Sequence, residues 1–372
     1  MRITYLHLIN FRNHLDNSVH LGQGMNIFVG PNGQGKTAIL EALYALATSK
    51  SHRTSRDAEL IRLGADWTRI TAEVDREKRE EVILELTLSR VEKKTVRVNK
   101  VKREKVGDIV GQLNAVIFSA TDLDMIKLDP SHRRRFLNLE ISQVSPQYVY
   151  SFGRYKRVLD QRNSAIKELR FGGGTARSID IWDDQLVNYG SSMIEKRLVF
   201  VRRLAEIAEP VYERLSGGQE RLEIAYEPSV KLDDPKNLEE IKETFGRQLK
   251  QSRENDILRK TTTKGPHRDD ISFKVNGMEV RAFGSQGQQR SVALAVKLAE
   301  IELVEEMVGE PPVALLDDVG AELDEQRRKQ VFDLTFGRCQ TLVTATSLNE
   351  LPDEIVEKAE IFEVDSGKVK KI

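Results

Sequence analysis

The sequence feature that most constrains this chain is a glycine-rich run, GPNGQGKT, at residues 30–37. It fits the pattern G-x-x-x-x-G-K-[ST] in full, between a short apolar run, Met25 to Val29, and a segment with one apolar helical face, Ile39 to Ala47. A strand, a tight turn and a helix in this order place backbone N–H groups and the positive end of a helix around a phosphate. The pattern predicts an α/β nucleotide-binding fold. The residues expected to bind ATP are Gly30, Asn32, Gly33, Gly35, Lys36 and Thr37.

A second, acidic motif lies near the end of the chain. Four apolar residues, Val313 to Leu316, are followed by two carboxylates, Asp317 and Asp318. The apolar run predicts a buried strand, and sites in α/β proteins lie at the carboxyl ends of such strands. We expect Asp317 to hold Mg²⁺ together with Thr37, and Asp318 to polarise the attacking water. Asp318 and Lys36, which reaches the β- and γ-phosphates, are the predicted catalytic residues.

Between these motifs lies a third run, GSQGQQR, at residues 284–290. With it, the order of motifs resembles that of the ATP-binding-cassette ATPases of the chromosome-maintenance type. In that class, ATP is sandwiched between the phosphate loop of one subunit and the signature of its partner. The resemblance implies a homodimer that forms with ATP, in which Ser285, Gly287 and Gln288 contact the nucleotide of the opposite subunit.

A competing signature is LSGGQ at residues 215–219, which is identical to the signature of the transporters. The residues after it, Glu220 to Tyr226, alternate like a strand, whereas Ser285 precedes a strongly periodic helix. A signature must open a helix, because its hydroxyl, its amides and the helix dipole together face a γ-phosphate. We therefore predict that residues 284–290 are the signature and that residues 215–219 form a turn.

The residues after the acidic motif carry two further resemblances to cassette ATPases. The run AELD, Ala321 to Asp324, resembles the D-loop, so Asp324 is expected beside the opposing nucleotide. The strand Thr341 to Thr344 is not followed by the switch histidine of transporters. Thr346 and Ser347 are the candidates for that position.

The periodicity of the sequence changes twice, which predicts three segments. Residues 1–128 consist mostly of strands, residues 129–259 of helices of ordinary length without sustained heptads, and residues 260–372 return to α/β. In the last segment, Asn276-Gly277 predicts a hairpin whose second strand is Met278 to Phe283. The predicted fold is α/β, a cassette-type P-loop ATPase head with an inserted, mainly helical domain.

The charge of the chain is balanced, with 58 basic and 58 acidic residues. A global field that attracts nucleic acid is therefore absent, and binding must come from local patches. Basic clusters occur at residues 50–56, 100–105 and 132–135, and the first begins just past the predicted helix of the phosphate loop. We predict that Lys50, Arg53 and Arg56 contact DNA phosphates. The arginines at 133–135 are the next candidates.

Several observations bear on the compartment and on metals. The single cysteine, Cys339, excludes an internal disulfide and a multi-cysteine metal site, and no apolar run approaches the roughly 18 residues of a membrane span. The first residues alternate like a strand and lack the organisation of a secretion signal. These features predict a soluble, cytoplasmic protein with no membrane partner. His267, in GPHRDD, has no cysteine or second histidine nearby and is expected to form hydrogen bonds without binding a metal.

Over essentially its whole length, the chain resembles the RecF family of bacterial recombination mediators. The resemblance is carried by LHLINFRN, GPNGQGKT, TSKSHRTSRDAELIRLG, RRRFL, YKRVLDQRN, WDDQL, GPHRDD, FGSQGQQR and LLDDVGAELD. One departure is Val319-Gly320-Ala321, where Val-Phe-Ser is more usual, which changes the hydrogen bonding of the D-loop. The resemblance implies slow ATP hydrolysis, ATP and Mg²⁺ as cofactors, binding to double-stranded and gapped DNA, and action with RecO and RecR to place the recombinase RecA.

Two other functions share these motifs. The first is a cassette ATPase coupled to a nuclease, which would carry a further acidic metal-binding domain, and only about 26 residues follow Thr346 in this sequence. The second is a chromosome-structuring protein, which requires a long coiled coil and therefore sustained heptads. Both remain alternatives to a repair protein that uses ATP as a switch.

Overall fold

The fold is built on a mostly parallel sheet that is covered on both faces. In the computed structural model, the strand order of this sheet is β15-β14-β3-β13-β12-β8, and only β15 is antiparallel to its neighbour. The structure describes residues 1–77, 80–170, 176–235, 237–318 and 325–372, without the side chains of 176–178 and 326. The strands are β1 (Arg2–Phe11), β2 (His14–His20), β3 (Met25–Val29), β4 (Trp67–Asp75), β5 (Val82–Ser89), β6 (Thr95–Val98), β7 (Val101–Lys102), β8 (Ala115–Phe118), β9 (Leu222–Glu227), β10 (Asp270–Val275), β11 (Met278–Glu279), β12 (Val313–Leu316), β13 (Thr341–Ala345), β14 (Glu360–Asp365) and β15 (Lys368–Lys371).

Helices cover this sheet and form most of the middle of the chain. The helices are α1 (Lys36–Thr48), α2 (Asp122–Lys127), α3 (Pro130–Val144), α4 (Pro146–Arg170), α5 (Ala176–Leu215), α6 (Leu238–Gln251), α7 (Arg253–Arg259), α8 (Val280–Phe283), α9 (Gln286–Val308), α10 (Glu325–Thr335) and α11 (Asp353–Val356).

The central strands are apolar at consecutive positions because both faces of the sheet are buried. On β3, Ile27 packs into the core that contains α9 and the helical segment, while Phe28 packs into the core that contains α1. A parallel sheet between two layers requires this continuous pattern. Val313 to Leu316 follows the same rule and is buried at every position.

An antiparallel sheet, in the order β2-β1-β4-β5-β6-β7, covers α1 from the outside. Its strands alternate between buried and partly exposed residues, as β4 does over most of its length. One face therefore packs on the core and the other faces solvent, which gives a period of two. The early part of the chain, which the sequence predicted to be mostly strands, forms this sheet.

The helical segment differs from the sequence prediction in the length of its main helix. Helix α5 has 40 residues, Ala176 to Leu215, and so extends about 60 Å, whereas helices of ordinary length were predicted. It packs along α4 and α9, which provides the apolar partners that a helix of this length requires. Among the described residues, no helix combines the length and the apolar character needed to cross a bilayer.

A small antiparallel sheet, β11-β10-β9, joins the helical segment to the last part of the chain. Strand β9 comes from the predicted helical segment, and β10 comes from the α/β segment that follows it. The predicted boundary at 259/260 therefore lies between two paired strands. The division into three domains, with its other boundary at 128/129, stays a prediction.

The predicted hairpin at Asn276-Gly277 is present, but its second strand is much shorter than expected. Both turn residues have positive φ, 50° and 78°, as this type of two-residue turn requires. The strand predicted over residues 278–283 ends after Glu279, and α8 follows it. The cause is a helical turn, which closes when the Gly284 N–H donates to the Val280 carbonyl at 3.0 Å.

Candidate nucleotide-binding site

The order of the strands brings the two halves of the site together. Strand β13 pairs with both β3 and β12, so the carboxyl ends of these three strands lie side by side. The hydroxyl of Thr37, in the first turn of α1, donates to Asp317 Oδ1 at 2.8 Å, although 280 residues separate them. The hydroxyl of Thr344, on β13, donates to the same oxygen at 2.8 Å. Sequence reasoning missed Thr344, which lies inside a strand that is buried at every position.

The glycines of the phosphate loop are required by its surroundings as well as by its shape. Gly35 has a φ of 111°, and a Cβ there would lie 2.6 Å from Asn13 Oδ1. At Gly30 a Cβ would lie 2.2 Å from the Val364 carbonyl oxygen of β14. Any side chain at either position would displace a neighbouring strand or turn. The loop can therefore hold its shape only with glycine at these two positions.

The phosphate loop is clamped from outside by two turns that are far apart in sequence. Asn13 Nδ2 donates to the Gln34 carbonyl at 2.8 Å, and the Gly367 N–H donates to the same carbonyl at 3.0 Å. The two ring nitrogens of His14 each lie 3.0 Å from a carbonyl oxygen, one of Gly35 and one of Gly367. Burial lowers the pKa of His14, and these two hydrogen bonds oppose that shift. The sequence offered no signal for this clamp.

Lys36 is folded back over the phosphate loop. Its Nζ donates to the Gly30 carbonyl at 2.5 Å and to the Pro31 carbonyl at 2.9 Å. Burial lowers the pKa of Lys36, and the nearby carboxylates Asp318 and Asp317 oppose that shift. The cation therefore lies inside the curve of the loop, where phosphate oxygens would replace the two carbonyls as its partners.

The two carboxylates of the acidic motif play different parts. Asp317 accepts the hydroxyls of Thr37 and Thr344, and this set of oxygen atoms suits Mg²⁺, which prefers hard oxygen ligands. Asp318 has a φ of 53°, a conformation that aspartate and asparagine adopt more readily than most residues. Its N–H donates to the Thr344 hydroxyl at 2.9 Å, and the residue lines the nucleotide cleft.

A cleft of about 880 Å³ opens over the phosphate loop. Its volume lies in the range of small-molecule sites, which is roughly 300–1,000 Å³. Leu63, an apolar residue that is 91% exposed, stands at this cleft beside Ile61. Apolar side chains at this position can contact a flat base, and guanidinium groups can contact phosphates. The lining residues outside the phosphate loop, its helix and the strand ends are Arg12, Asn13, Arg53, Arg56, Ala58, Glu59, Ile61, Leu63 and Arg90.

A buried glutamate on α1 holds the basic loop at this cleft. Glu41 is fully buried and accepts two hydrogen bonds from Arg12, at 2.7 and 2.8 Å, and one from the Ser51 hydroxyl. Arg53 lies 3.7 Å from the same carboxylate. Burial raises the pKa of Glu41, but the hydrogen bonds from Arg12 and Ser51 outweigh it, so the pKa lies below its ordinary value. Arg53 therefore belongs to the nucleotide cleft as well as to the predicted DNA patch.

The signature predicted at residues 284–290 opens a helix, as it must. Ser285 is the N-cap of α9: its hydroxyl accepts the Gln288 N–H at 3.1 Å, and the Gln288 side chain accepts the Ser285 N–H at 2.8 Å. Ser285 and Gly287 are both exposed. Neither these two residues nor Gln288 is among the described residues that line the nucleotide cleft of the same chain.

The run LSGGQ ends a helix. Leu215 is the last residue of α5, and Gly217 and Gly218 follow with positive φ values of 69° and 77°. The Gly218 N–H donates to the Glu213 carbonyl at 2.8 Å, which closes the end of the helix. The carboxyl end of a helix carries partial negative charge and disfavours a phosphate. The predicted turn at residues 215–219 is confirmed.

The structure corrects one set of predicted residues. Arg133, part of the second candidate for DNA binding, is buried and forms an ion pair with Asp270 at 2.6 Å. Its neighbours are also engaged: Arg134 donates to the Asp269 carbonyl and Arg135 to the Ser51 carbonyl. A run of three arginines cannot show which of them points inward.

One further predicted position can be placed, and another lies outside the described residues. The Thr346 hydroxyl donates to Glu350, so this candidate for the switch position is engaged within its own loop. Asp324 and the rest of the run Ala321 to Asp324 lie outside the described residues.

Comparison with known proteins agrees with this geometry over the full length of the chain. Residues 2–369 match the family described as the RecF/RecN/SMC N terminal domain. The DNA replication and repair protein RecF of Shouchella clausii is 41% identical over 100% of both chains, and that of Bacillus subtilis is 40% identical over 100% of both. A solved structure of the recombination mediator protein RecF-ATP in the RecFOR pathway matches with a TM-score of 0.92 and 32% identity, and covers 100% of this chain and 97% of that chain.

This chain belongs to the RecF family. The cassette-type α/β head predicted from the sequence is therefore confirmed. The GPHRDD run of this chain connects the helical segment to β10. Its His267 Nδ1 lies 2.6 Å from the Tyr155 hydroxyl of α4, and Nε2 lies 2.9 Å from the Thr262 carbonyl oxygen. Burial lowers the pKa of His267 to about 4, so the ring is neutral at physiological pH.

The first aspartate of the GPHRDD run, Asp269, forms more hydrogen bonds than His267 does. Asp269 is fully buried and accepts hydrogen bonds from Arg197 of α5, from the Tyr226 hydroxyl of β9 and from the Ser229 N–H. A buried carboxylate is stable only with such partners. The role of GPHRDD in this chain is therefore to hold helices and strands together, and the hydrogen-bonding role expected for His267 is confirmed.

Proposed function

We propose that this chain is an ATP-dependent DNA-binding protein that dimerises around ATP and hydrolyses it slowly as a switch. It acts in recombinational repair at single-strand gaps and helps to load the recombinase RecA with RecO and RecR. The observation that carries the proposal is the hydrogen bond between Thr37 and Asp317 beside Lys36. The predicted signature of the same chain, at residues 284–290, does not line the cleft over the phosphate loop. An ATPase site of this kind is complete only when a second copy supplies Ser285.

The chemistry assigns a separate task to each group of this site. Lys36 neutralises charge on the β- and γ-phosphates, and Asp318 orients and polarises the attacking water. Thr37 and Asp317 would hold Mg²⁺, which would further stabilise the charge that develops on the phosphates. Ser285, with the N–H groups at the start of α9, contributes hydrogen bonds from the opposite subunit. Hydrolysis is therefore coupled to the dimeric state.

The partners and the location are proposed from the family. The relatives are named as DNA replication and repair proteins, and the solved homologue is placed in the RecFOR pathway, which supports double-stranded and gapped DNA, RecO and RecR as partners. We propose a cytoplasmic location, where such DNA is found. Because the net charge is zero, DNA binding depends on local patches and falls steeply with salt.

The proposed function is tested by measuring the molar mass of the wild-type protein by light scattering, without nucleotide and with ATP and Mg²⁺. We expect a monomer, or weak self-association, without nucleotide and a dimer with ATP, because ATP binds across the interface. Binding to a gapped duplex is measured in parallel and should strengthen with ATP. A protein that stays monomeric at saturating ATP would contradict the proposal.

A second experiment separates two roles of the basic loop. Lys50, Arg53 and Arg56 are the proposed DNA contacts, but Arg53 and Arg56 line the nucleotide cleft and Lys50 is not among its described lining residues. We expect the double variant Arg53→Ala/Arg56→Ala to lower ATP affinity in the absence of DNA. Lys50→Ala should lower DNA affinity alone. Unchanged ATP affinity in the double variant would show that neither arginine contributes to ATP binding, and both would remain candidates for DNA binding only.

A further inference from the structure

The exposed side of α4 carries a set of residues that the nucleotide site does not use. We call it the α4 stripe and define it as Tyr150, Gly153, Arg154 and Arg157. These residues are spaced by three and four positions, so they lie on one face of the helix. All four are exposed, and Tyr150 is 50% exposed.

The glycine of the α4 stripe has no structural explanation within the chain. Glycine in the middle of a helix is less stable than alanine, because the unfolded chain loses more freedom. A Cβ at Gly153 would meet no atom within 4 Å. By contrast, a Cβ at Gly190 on α5 would lie 2.6 Å from the Phe245 ring, so that glycine is required by packing. The missing side chain at Gly153 leaves space only on the solvent side.

The cations around this glycine are concentrated and unpaired. Arg154, Lys156 and Arg157 lie within one turn of α4 and are exposed. In the parts of the chain that the structure describes, none of the three forms an ion pair with a carboxylate. Arg154 instead lies over the Tyr150 ring, 5.5 Å from its centroid. The buried Arg162 of the same helix, in contrast, is paired with Asp183 at 2.6 Å.

We propose that the α4 stripe binds the phosphate backbone of a DNA duplex. Gly153 lets a phosphate approach the helix closely, and Arg154, Arg157 and the Tyr150 hydroxyl surround it with donors. Lys156 adds charge beside the stripe. The inference rests on the proposed function, because it names a surface for DNA binding, and it lies in the helical segment, apart from the basic loop of the nucleotide cleft.

A duplex fits this surface better than a single strand does. Proteins hold single strands in grooves where aromatic rings offer open faces to the bases. Here the Tyr150 ring is covered by Arg154 on one side and meets Tyr189 edge to face, with ring centroids 6.1 Å apart. The face of the Tyr150 ring under Arg154 is therefore not open to a base. The exposed cations of the stripe suit the outer phosphates of a duplex, and contacts to phosphates carry no base information.

The first test removes two cations of the α4 stripe. The variant Arg154→Ala/Arg157→Ala is titrated with a labelled duplex oligonucleotide and with a single strand of equal length, at saturating ATP and several salt concentrations. Two lost phosphate contacts should reduce the slope of log Kd against log salt by about 2 and weaken duplex binding about 10- to 100-fold at moderate salt. The matched control is Arg247→Ala/Lys250→Ala on α6, which has the same spacing and should bind the duplex as the wild type does.

The second test adds a methyl group without changing charge. Gly153→Ala should raise the midpoint of thermal unfolding, because alanine favours the helix, and yet weaken duplex binding several-fold by keeping the phosphate away. The control is Gly246→Ala on α6, where a Cβ would make only ordinary contact with Val187 at 3.9 Å. That variant should gain thermal stability and keep its duplex affinity. If Gly153→Ala is more stable than the wild type but binds the duplex more weakly, misfolding cannot explain the weaker binding.

The outcomes separate this surface from the proposed function. Wild-type affinity for the duplex in both α4 variants, with ATP-dependent binding intact, would overturn the α4 stripe alone. Loss of single-strand binding with duplex binding unchanged would also overturn it and assign the surface to single strands. If the wild-type protein bound no DNA in any nucleotide state, both this inference and the proposed function would be wrong.

Discussion

Replacing Ser285 with arginine is expected to abolish ATP-induced dimerisation and to reduce ATP turnover to a few per cent of the wild-type rate or less. Ser285 is exposed at the start of α9, where its hydroxyl and the free N–H groups of the helix can face the nucleotide of a second subunit. The arginine side chain would fill that space. ATP binding by the monomer should persist, because the cleft over the phosphate loop does not include Ser285 among its described lining residues.

Two controls make this result specific. Ser285→Ala removes the N-cap, which costs about 1 kcal/mol, without adding bulk, so it should weaken dimerisation less than the arginine variant does. Ser216→Arg places the same bulk in LSGGQ, at the end of α5. In the wild type, the Ser216 hydroxyl donates a hydrogen bond to the Glu213 carbonyl at 3.1 Å. That variant should dimerise and hydrolyse ATP normally. If Ser216→Arg lost dimerisation and Ser285→Arg kept it, the assignment of the signature would be reversed.

The second large effect is expected at Asp318. Asp318→Asn should slow hydrolysis about 10²- to 10⁴-fold, because the carboxylate that polarises water becomes a neutral amide. Asparagine tolerates the positive φ of this position as well as aspartate does, so the backbone should not change. The ATP-bound dimer should therefore accumulate. Light scattering and phosphate release, measured on the same sample, check both halves of this expectation.

The neighbouring carboxylate provides the contrast for this experiment. Asp317 accepts hydrogen bonds from Thr37 and Thr344 and is the proposed Mg²⁺ ligand. Asp317→Asn should weaken Mg²⁺-dependent ATP binding as well as hydrolysis, and so reduce dimerisation. Near wild-type hydrolysis in Asp318→Asn, or loss of the dimer in that variant, would show that the two carboxylates have been given the wrong roles.

The parts of the site that the sequence predicted correctly are local. GPNGQGKT dictates a turn with glycine at positive φ followed by a helix, and α1 begins at Lys36 as expected. The helix after Ser285 and the strand after LSGGQ were also predicted from neighbouring residues alone, whereas the assignment of residues 284–290 as the signature stays a prediction. Ser285 precedes a helical period and LSGGQ precedes a strand, because backbone propensity and apolar spacing act over a few residues.

The basic runs show where local reasoning fails. RRR at residues 133–135 looked like a surface, yet Arg133 is buried against Asp270, 137 residues away. The loop at residues 50–56 stays a predicted DNA patch, but the sequence could not show that the buried Glu41 also holds Arg53 at the nucleotide cleft. A run of charged residues does not show which side chains point into the protein, because the partner of a buried side chain lies on a different element.

The sequence by itself therefore determined which segments form the phosphate loop, the strand before the two carboxylates and the helix that begins after Ser285. Only the tertiary structure decided what surrounds them. The strand order places Thr344 between the two halves of the site, and the His14 and Gly367 turns, 353 residues apart, clamp the phosphate loop. The physical reason is the distance in sequence over which each interaction acts. Periodicity and propensity are local and indicate which residues of one element are buried. The pairing of distant elements depends on the packing of the whole chain.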